Sequence, residues 1–191
     1  MEEIIKNYIE QSIRTKEEIL KSSLIVSNIQ KSAEILIETY KNGGKVFLAG
    51  NGGSAADSQH IATELVSKFF KERKPLNAMA LTTNTSAITA IGNDYGYEYV
   101  FSRQLEAYSK KGDIFVAIST SGNSENIIEA LKKAKDLGLK TIGFAGKNGG
   151  KMESFCDLII KVPSTVTPTI QESHIMIGHL ICAVVEKELF N

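Results

Sequence analysis

The chain of 191 residues suits one domain with an added arm, and its 42% apolar content supports a real core. Twenty-two basic side chains balance 22 acidic ones, which excludes binding to nucleic acid or an anionic membrane through bulk charge and leaves only a local patch for such contacts. The N-terminal "MEEIIKNYIEQSIRTK" is charged throughout and is no secretory signal, and no apolar run approaches the ~18 residues of a membrane span. Cys156 and Cys182 lack paired spacing and read as small buried hydrophobes in a reducing compartment. A cytoplasmic protein is expected, with neither nucleic acid nor membrane as partner.

In chain order, residues 2–41 carry helical apolar spacing at Ile5, Ile9 and Ile13, then from Leu20 to Leu36, with at most a break near Arg14–Thr15. "KNGG" at 41–44 ends the run. A helix that long must bury its stripe on something, and a partner subunit is the expected cover. Strands are predicted at 45–50, 76–81, 113–120, 140–146 and 157–162. Helices are predicted at 54–70, 87–93, 97–109, 124–138 and 171–190. Apolar strands alternating with helices predict a parallel sheet covered on both faces.

In such sheets ligands bind beyond the carboxyl ends of the strands. Two predicted strands run there into "GNGGS" (50–54) and "STSGNS" (119–124), each leading into a helix N-terminus. Free backbone N–H groups and the helix dipole favour an anion at such a place. Ser119, Thr120, Ser121 and Ser124 add four hydroxyls within six residues. Neither loop is a Walker A motif, and "GNGGSA" does not complete a dinucleotide fingerprint. A simpler phosphorylated ligand is favoured over a nucleotide. Ordinary turns capped by Ser and Asn are the alternative, and two such loops count against it.

The chain has three histidines, His60, His174 and His179. His60 and Glu64 stand four apart on one helix face, and Gln171 and His179 eight apart on the last helix. Together they offer a four-ligand metal site, in which Gln is an unusual member. Spacing does not show that the two helices meet. A surface His60–Glu64 pair and a satisfied core histidine at His179 stay open as the plainer alternatives. Asp57 reads as a first-turn dipole partner, Asp94 as a turn cap, and Tyr95, Tyr97 and Tyr99 as packing around a turn.

The motifs "GNGGSAADSQHIATEL", "GNDYGYEYVFSRQLEA", "GDIFVAISTSGNSENIIEAL", "GKNGGKMESFCDLIIKVPS" and "IQESHIMIGHLI" together resemble the phosphoheptose isomerases, a branch of the sugar isomerase domain family. The resemblance covers nearly the whole chain. It implies an α/β fold, a three-layer αβα sandwich with a five-stranded parallel sheet. It further implies a single domain over 1–191, with a helical oligomerisation arm at 1–42 and the αβα core at 43–191, and a homotetramer. The implied activity converts sedoheptulose 7-phosphate, a phosphorylated seven-carbon sugar, to D-glycero-D-manno-heptose 7-phosphate for bacterial surface heptose. The implied metal is one zinc ion per subunit on His60, Glu64, Gln171 and His179. The implied substrate contacts are Asn51, Gly52, Gly53, Ser54, His60, Glu64, Asn93, Asp94, Ser119, Thr120, Ser121, Ser124 and Gln171.

A ketose becomes an aldose through an enediol, which needs a positioned base and stabilised oxyanion charge. By the resemblance Glu64 is the base and His179 the acid. A carboxylate bound tightly to zinc is a poorer base, so either Glu64 is loosely ligated with substrate present or another group serves. Many members of the family carry Arg where this chain has Thr169, and Lys151 or another cation is a candidate to compensate. The competing readings are a non-catalytic relative that scaffolds a replication initiator protein, and an isomerase of a different phosphosugar. The filled set of four metal positions favours the enzyme.

Overall fold

A computed structural model describes all residues, 1–191. Helix α1 (Glu2–Lys21) and α2 (Ser23–Lys41) precede β1 (Val46–Gly50), α3 (Gly53–Val66), β2 (Ala78–Ala80), α4 (Thr85–Asp94) and α5 (Ser102–Tyr108). Strand β3 (Ile114–Ser119), α6 (Glu125–Asp136), β4 (Lys140–Ala145), β5 (Leu158–Lys161) and α7 (Thr167–Leu189) complete the fold. Short 3₁₀ turns lie at Tyr97–Tyr99 and Lys151–Phe155. The five strands are all parallel in the order β2-β1-β3-β4-β5. This is the expected α/β sandwich.

Alternation along the central strands feeds two cores, because successive side chains leave opposite faces. Leu48, Val116, Ile118 and Phe144 pack under α2, α3 and α7 with Ile29, Leu36, Ile61, Leu65, Ile177 and Ile181. Phe47, Phe115 and Ala117 pack under α5 and α6 with Leu105, Ile127 and Leu131. So α3, following β1, covers one face, while α6, following β3, covers the other. The neighbouring strands β1 and β3 therefore release their chains in opposite directions, which opens a crevice at the sheet's carboxyl edge.

Several boundaries differ from the sequence reading. The long N-terminal helix breaks at Ser22, not near Arg14–Thr15. Ser22 is extended, at φ −86° and ψ 101°, and its hydroxyl accepts the Ile25 N–H at 3.3 Å as an N-cap. Thr15 is helical and buried. Helix α3 stops at Val66 instead of Phe70 because the Glu186 carboxylate takes the N–H groups of Phe69, Phe70 and Lys71 at 2.9, 2.7 and 2.9 Å. The helix predicted at 97–109 is a 3₁₀ turn followed by α5. Helix α7 begins at Thr167, one turn early, with Pro168 in its first turn, where the missing N–H costs nothing. No helix is long and apolar enough to cross a membrane.

Candidate active site

The loop after β1 turns through Gly52, whose φ of 56° favours glycine, and opens α3 at Gly53. A Cβ at residue 53 would overlap the Gln171 amide, so glycine is what lets the two helices close here. Ser54 is buried, and its carbonyl accepts the Ser58 hydroxyl at 2.8 Å. On the opposite side of the crevice Ser119 and Ser124 face one another with hydroxyl oxygens 3.1 Å apart. Thr120, Ser121 and Asn123 line a polar cavity of about 260 Å³ with Lys147, Ser164 and Thr167. Lys147 is the one cation in that lining, whereas Lys151 only gives its backbone N–H to Asn123. Thr169 is fully buried and its hydroxyl has no partner.

Asn93 and Asp94, at the end of α4, are exposed and hydrogen-bond to each other at 2.8 Å. The tyrosines that follow are not packed around a turn: Tyr95, Tyr97 and Tyr99 are all exposed. Tyr95 lies under the Arg103 guanidinium, 3.7 Å from the ring centroid, and the Tyr97 hydroxyl donates to Asn51 Oδ1 at 3.2 Å.

Helices α3 and α7 do meet. His60 Nε2 lies 3.0 Å from Glu64 Oε1 and 3.2 Å from His179 Nε2, and ligand atoms of all three residues fall within 4.8 Å of one another. Their close approach is permitted at Gly178, where a Cβ would press on the Ile61 side chain. Phe69 stands against the His179 ring at 5.6 Å between centroids.

This donor set fits a metal. Two imidazole nitrogens and a carboxylate oxygen converge where hydrogen bonding leaves one His60 nitrogen facing both neighbours. Two donors on a tetrahedral zinc stand about 3.3 Å apart, given bonds of ~2.0–2.1 Å, close to the spacings seen. The expected fourth ligand, Gln171, stands at the other end of the shared helix pair. Gln171 is eight residues before His179, about 12 Å along α7, and its side-chain amide lies against Gly53. It belongs to the crevice end of α3.

Near the site, Asp57 is more than the first-turn dipole partner expected from the sequence, and the Arg73–Glu186 pair was not foreseen. Asp57, one turn before His60, has a buried Oδ2 without a partner, and burial, partly offset by His60, pushes its pKa up to about 6. Arg73 and Glu186 form a buried pair at 2.9 Å, and Arg73 also donates to the Glu64 and Leu65 carbonyls at 2.8 Å each. That caps the end of the helix bearing His60 and Glu64. Burial raises the Glu186 pKa, but the Phe69 and Phe70 amides, Arg73 and the Lys71 amide outweigh it and hold it at about 2. His174 is a core histidine: its Nε2 donates to the Ala145 carbonyl at 3.2 Å and burial lowers its pKa to about 4.

Comparison with known proteins places this geometry. The SIS domain profile matches residues 7–146. The chain is 58% identical to the phosphoheptose isomerase of Clostridium acetobutylicum over 190 residues, covering 100% of this chain and 97% of that one. It is 56% identical to the phosphoheptose isomerase of Aneurinibacillus thermoaerophilus, over 100% and 96% of the two chains. The solved phosphoheptose isomerase from Neisseria gonorrhoeae superposes with a TM-score of 0.92 at 42% identity, covering 97% of this chain and 98% of that one. The chain thus belongs to the SIS domain family, within its phosphoheptose isomerase branch.

Proposed function

We propose that the protein converts sedoheptulose 7-phosphate to D-glycero-D-manno-heptose 7-phosphate in the cytoplasm, for surface heptose. The observation that carries the reading is the meeting of His60, Glu64 and His179 on α3 and α7, below two hydroxyl- and glycine-rich loops. His60 lies seven residues, ~10 Å of helix, beyond Gly53, a span comparable to an extended seven-carbon chain. Thr120, Ser121 and Ser124 take the phosphate, and Asn51 to Gly53 with Gln171 take the sugar hydroxyls. Phosphate binding then orients the distal carbons for proton transfer.

The Glu64 carboxylate removes a proton from C1 while His179 donates one to the C2 oxygen, giving the enediol. His179 then recovers a proton from the C1 hydroxyl, and Glu64 returns its proton to C2. The proton count is unchanged and the carbonyl has moved to C1. His60, Glu64 and His179, with Gln171 as the expected fourth ligand, would hold one zinc ion per subunit, which when bound would polarise the sugar oxygens. Glu64 and His179 then act both as ligands and in proton transfer, which requires loose ligation of each during turnover.

The subunit assembles as a homotetramer. Supporting this, Leu20 on α1 is 77% exposed, in line with the exposed Ile5, Ile9 and Ile13. The test is isomerase turnover of sedoheptulose 7-phosphate by purified protein, as isolated, after chelation and with zinc restored. Turnover lost with chelator and regained with zinc is expected. Absent turnover in every state from a folded protein would overturn the reading.

A further inference from the structure

Asn126, the second residue of α6, is 3% exposed and is buried at the foot of the crevice. Its amide forms a reciprocal pair with Asn51: Asn51 Nδ2 donates to Asn126 Oδ1, and Asn126 Nδ2 donates to Asn51 Oδ1, both at 2.9 Å. The Tyr97 hydroxyl adds a second donor to Asn51 Oδ1 at 3.2 Å. Strand pairing between β1 and β3 ends at Gly50 opposite Ile118. Above that point the chain after β1 departs to one face of the sheet and the chain after β3 to the other. The asparagine pair spans this divergence.

An asparagine amide carries two N–H donors and two acceptor lone pairs. On Asn51 both lone pairs and one N–H are taken, so a single N–H remains for a ligand oxygen. Burial strengthens such a pair and makes its disruption costly, since either amide would be left unsatisfied. We propose that Asn126 is a positioning residue: with Tyr97 as an outer latch, it fixes Asn51 as a one-hydrogen donor and sets the separation of the 51–53 and 119–124 loops. The proposal deepens the isomerase reading and rests on it for its kinetic part. A ligand anchored by phosphate on one loop and by sugar oxygens on the other needs that separation constant, and error there falls on the distal, reacting carbons.

The test combines kinetics with a readout that needs no turnover. In Asn126→Ala, backbone hydrogen exchange at Gly53 and Ser54 should speed up at least ten-fold relative to β3 and β4. The kcat for sedoheptulose 7-phosphate should fall more than ten-fold while inhibition by inorganic phosphate changes less than two-fold. A merely structural role would instead weaken phosphate and turnover in proportion. Tyr97→Phe leaves the fold alone, because the residue is 58% exposed, and covers the case of Asn126→Ala failing to fold. It should lower kcat/KM about three-fold and add nothing in the Asn126→Ala background, since both act through one oxygen. Unchanged exchange at 53–54, turnover of Asn126→Ala within two-fold of wild type, or additive losses would each overturn the proposal. If the wild-type chain itself fails to turn over the sugar phosphate, the isomerase reading falls, and the exchange measurement still decides the pair.

Discussion

Glu64 stands 3.0 Å from His60 Nε2 and within 4.8 Å of the His179 donor, the geometry of a ligand and of a base. Glu64→Gln keeps shape and removes proton affinity. Turnover should drop 10²- to 10⁴-fold, with the thermal midpoint and phosphate inhibition kept. Near-normal activity would remove Glu64 from the acid–base role. The serine loop makes contacts shared by ground and transition states. Ser121→Ala combined with Ser124→Ala should therefore raise KM more than it lowers kcat, and steady-state kinetics would reveal a pure kcat loss as a contradiction. The His60–Glu64 pair was legible because four residues is one turn of helix. The place of Gln171 was not: its spacing from His179 put it near the same helix face, but distance along the axis, which a face diagram ignores, carries it to Gly53. Tyr97 was misread as packing because alternation of aromatics says nothing about which side faces solvent.

Helix α3 ends where a carboxylate from α7 takes its downstream amides, and no local signal at 67–70 marks that stop. Glu186 lies 117 residues from Phe69 in sequence and only the packed helices bring them together. Glu186 and Arg73 are each 2% exposed, so removing one partner leaves a buried charge. Glu186→Gln should cost about 3 kcal/mol at neutral pH, read from urea melts. The pH dependence follows from the sign of the shift. The folded pKa, about 2, lies below the ordinary 4.5, so the carboxylate stabilises the fold above pH 4.5 and that stability drains away as pH falls toward 2. The gap between wild type and Glu186→Gln should therefore narrow below pH 4.5. A gap constant from pH 7 to pH 3 would contradict the charge-based account. By contrast, the N-cap at Ser22 was available in the sequence, since a serine before an apolar run is a start signal, but the continuous stripe on either side concealed it.

The subunit leaves one face of α1 uncovered: Ile5, Ile9 and Ile13 are more than half exposed, while Ile19 reaches the core. A face of this kind calls for another protein surface. Ile5→Glu with Ile9→Glu should lower the assembly state in sedimentation velocity while leaving the subunit's far-UV spectrum intact. An unchanged sedimentation coefficient would show that α1 does not carry the interface. The composition and the strand–helix alternation were enough to settle the parallel sheet, because buried parallel strands must read as apolar runs and the helices between them as amphipathic. The two anion-type loops were equally plain, since glycine and hydroxyl clusters at strand ends are local features. The packing of α3 on α7, the convergence of His60, Glu64 and His179, and the Asn51–Asn126 pair across the crevice came only with the folded chain. Each depends on contacts between segments 75 to 119 residues apart, and a one-dimensional pattern holds no term for their distance in space.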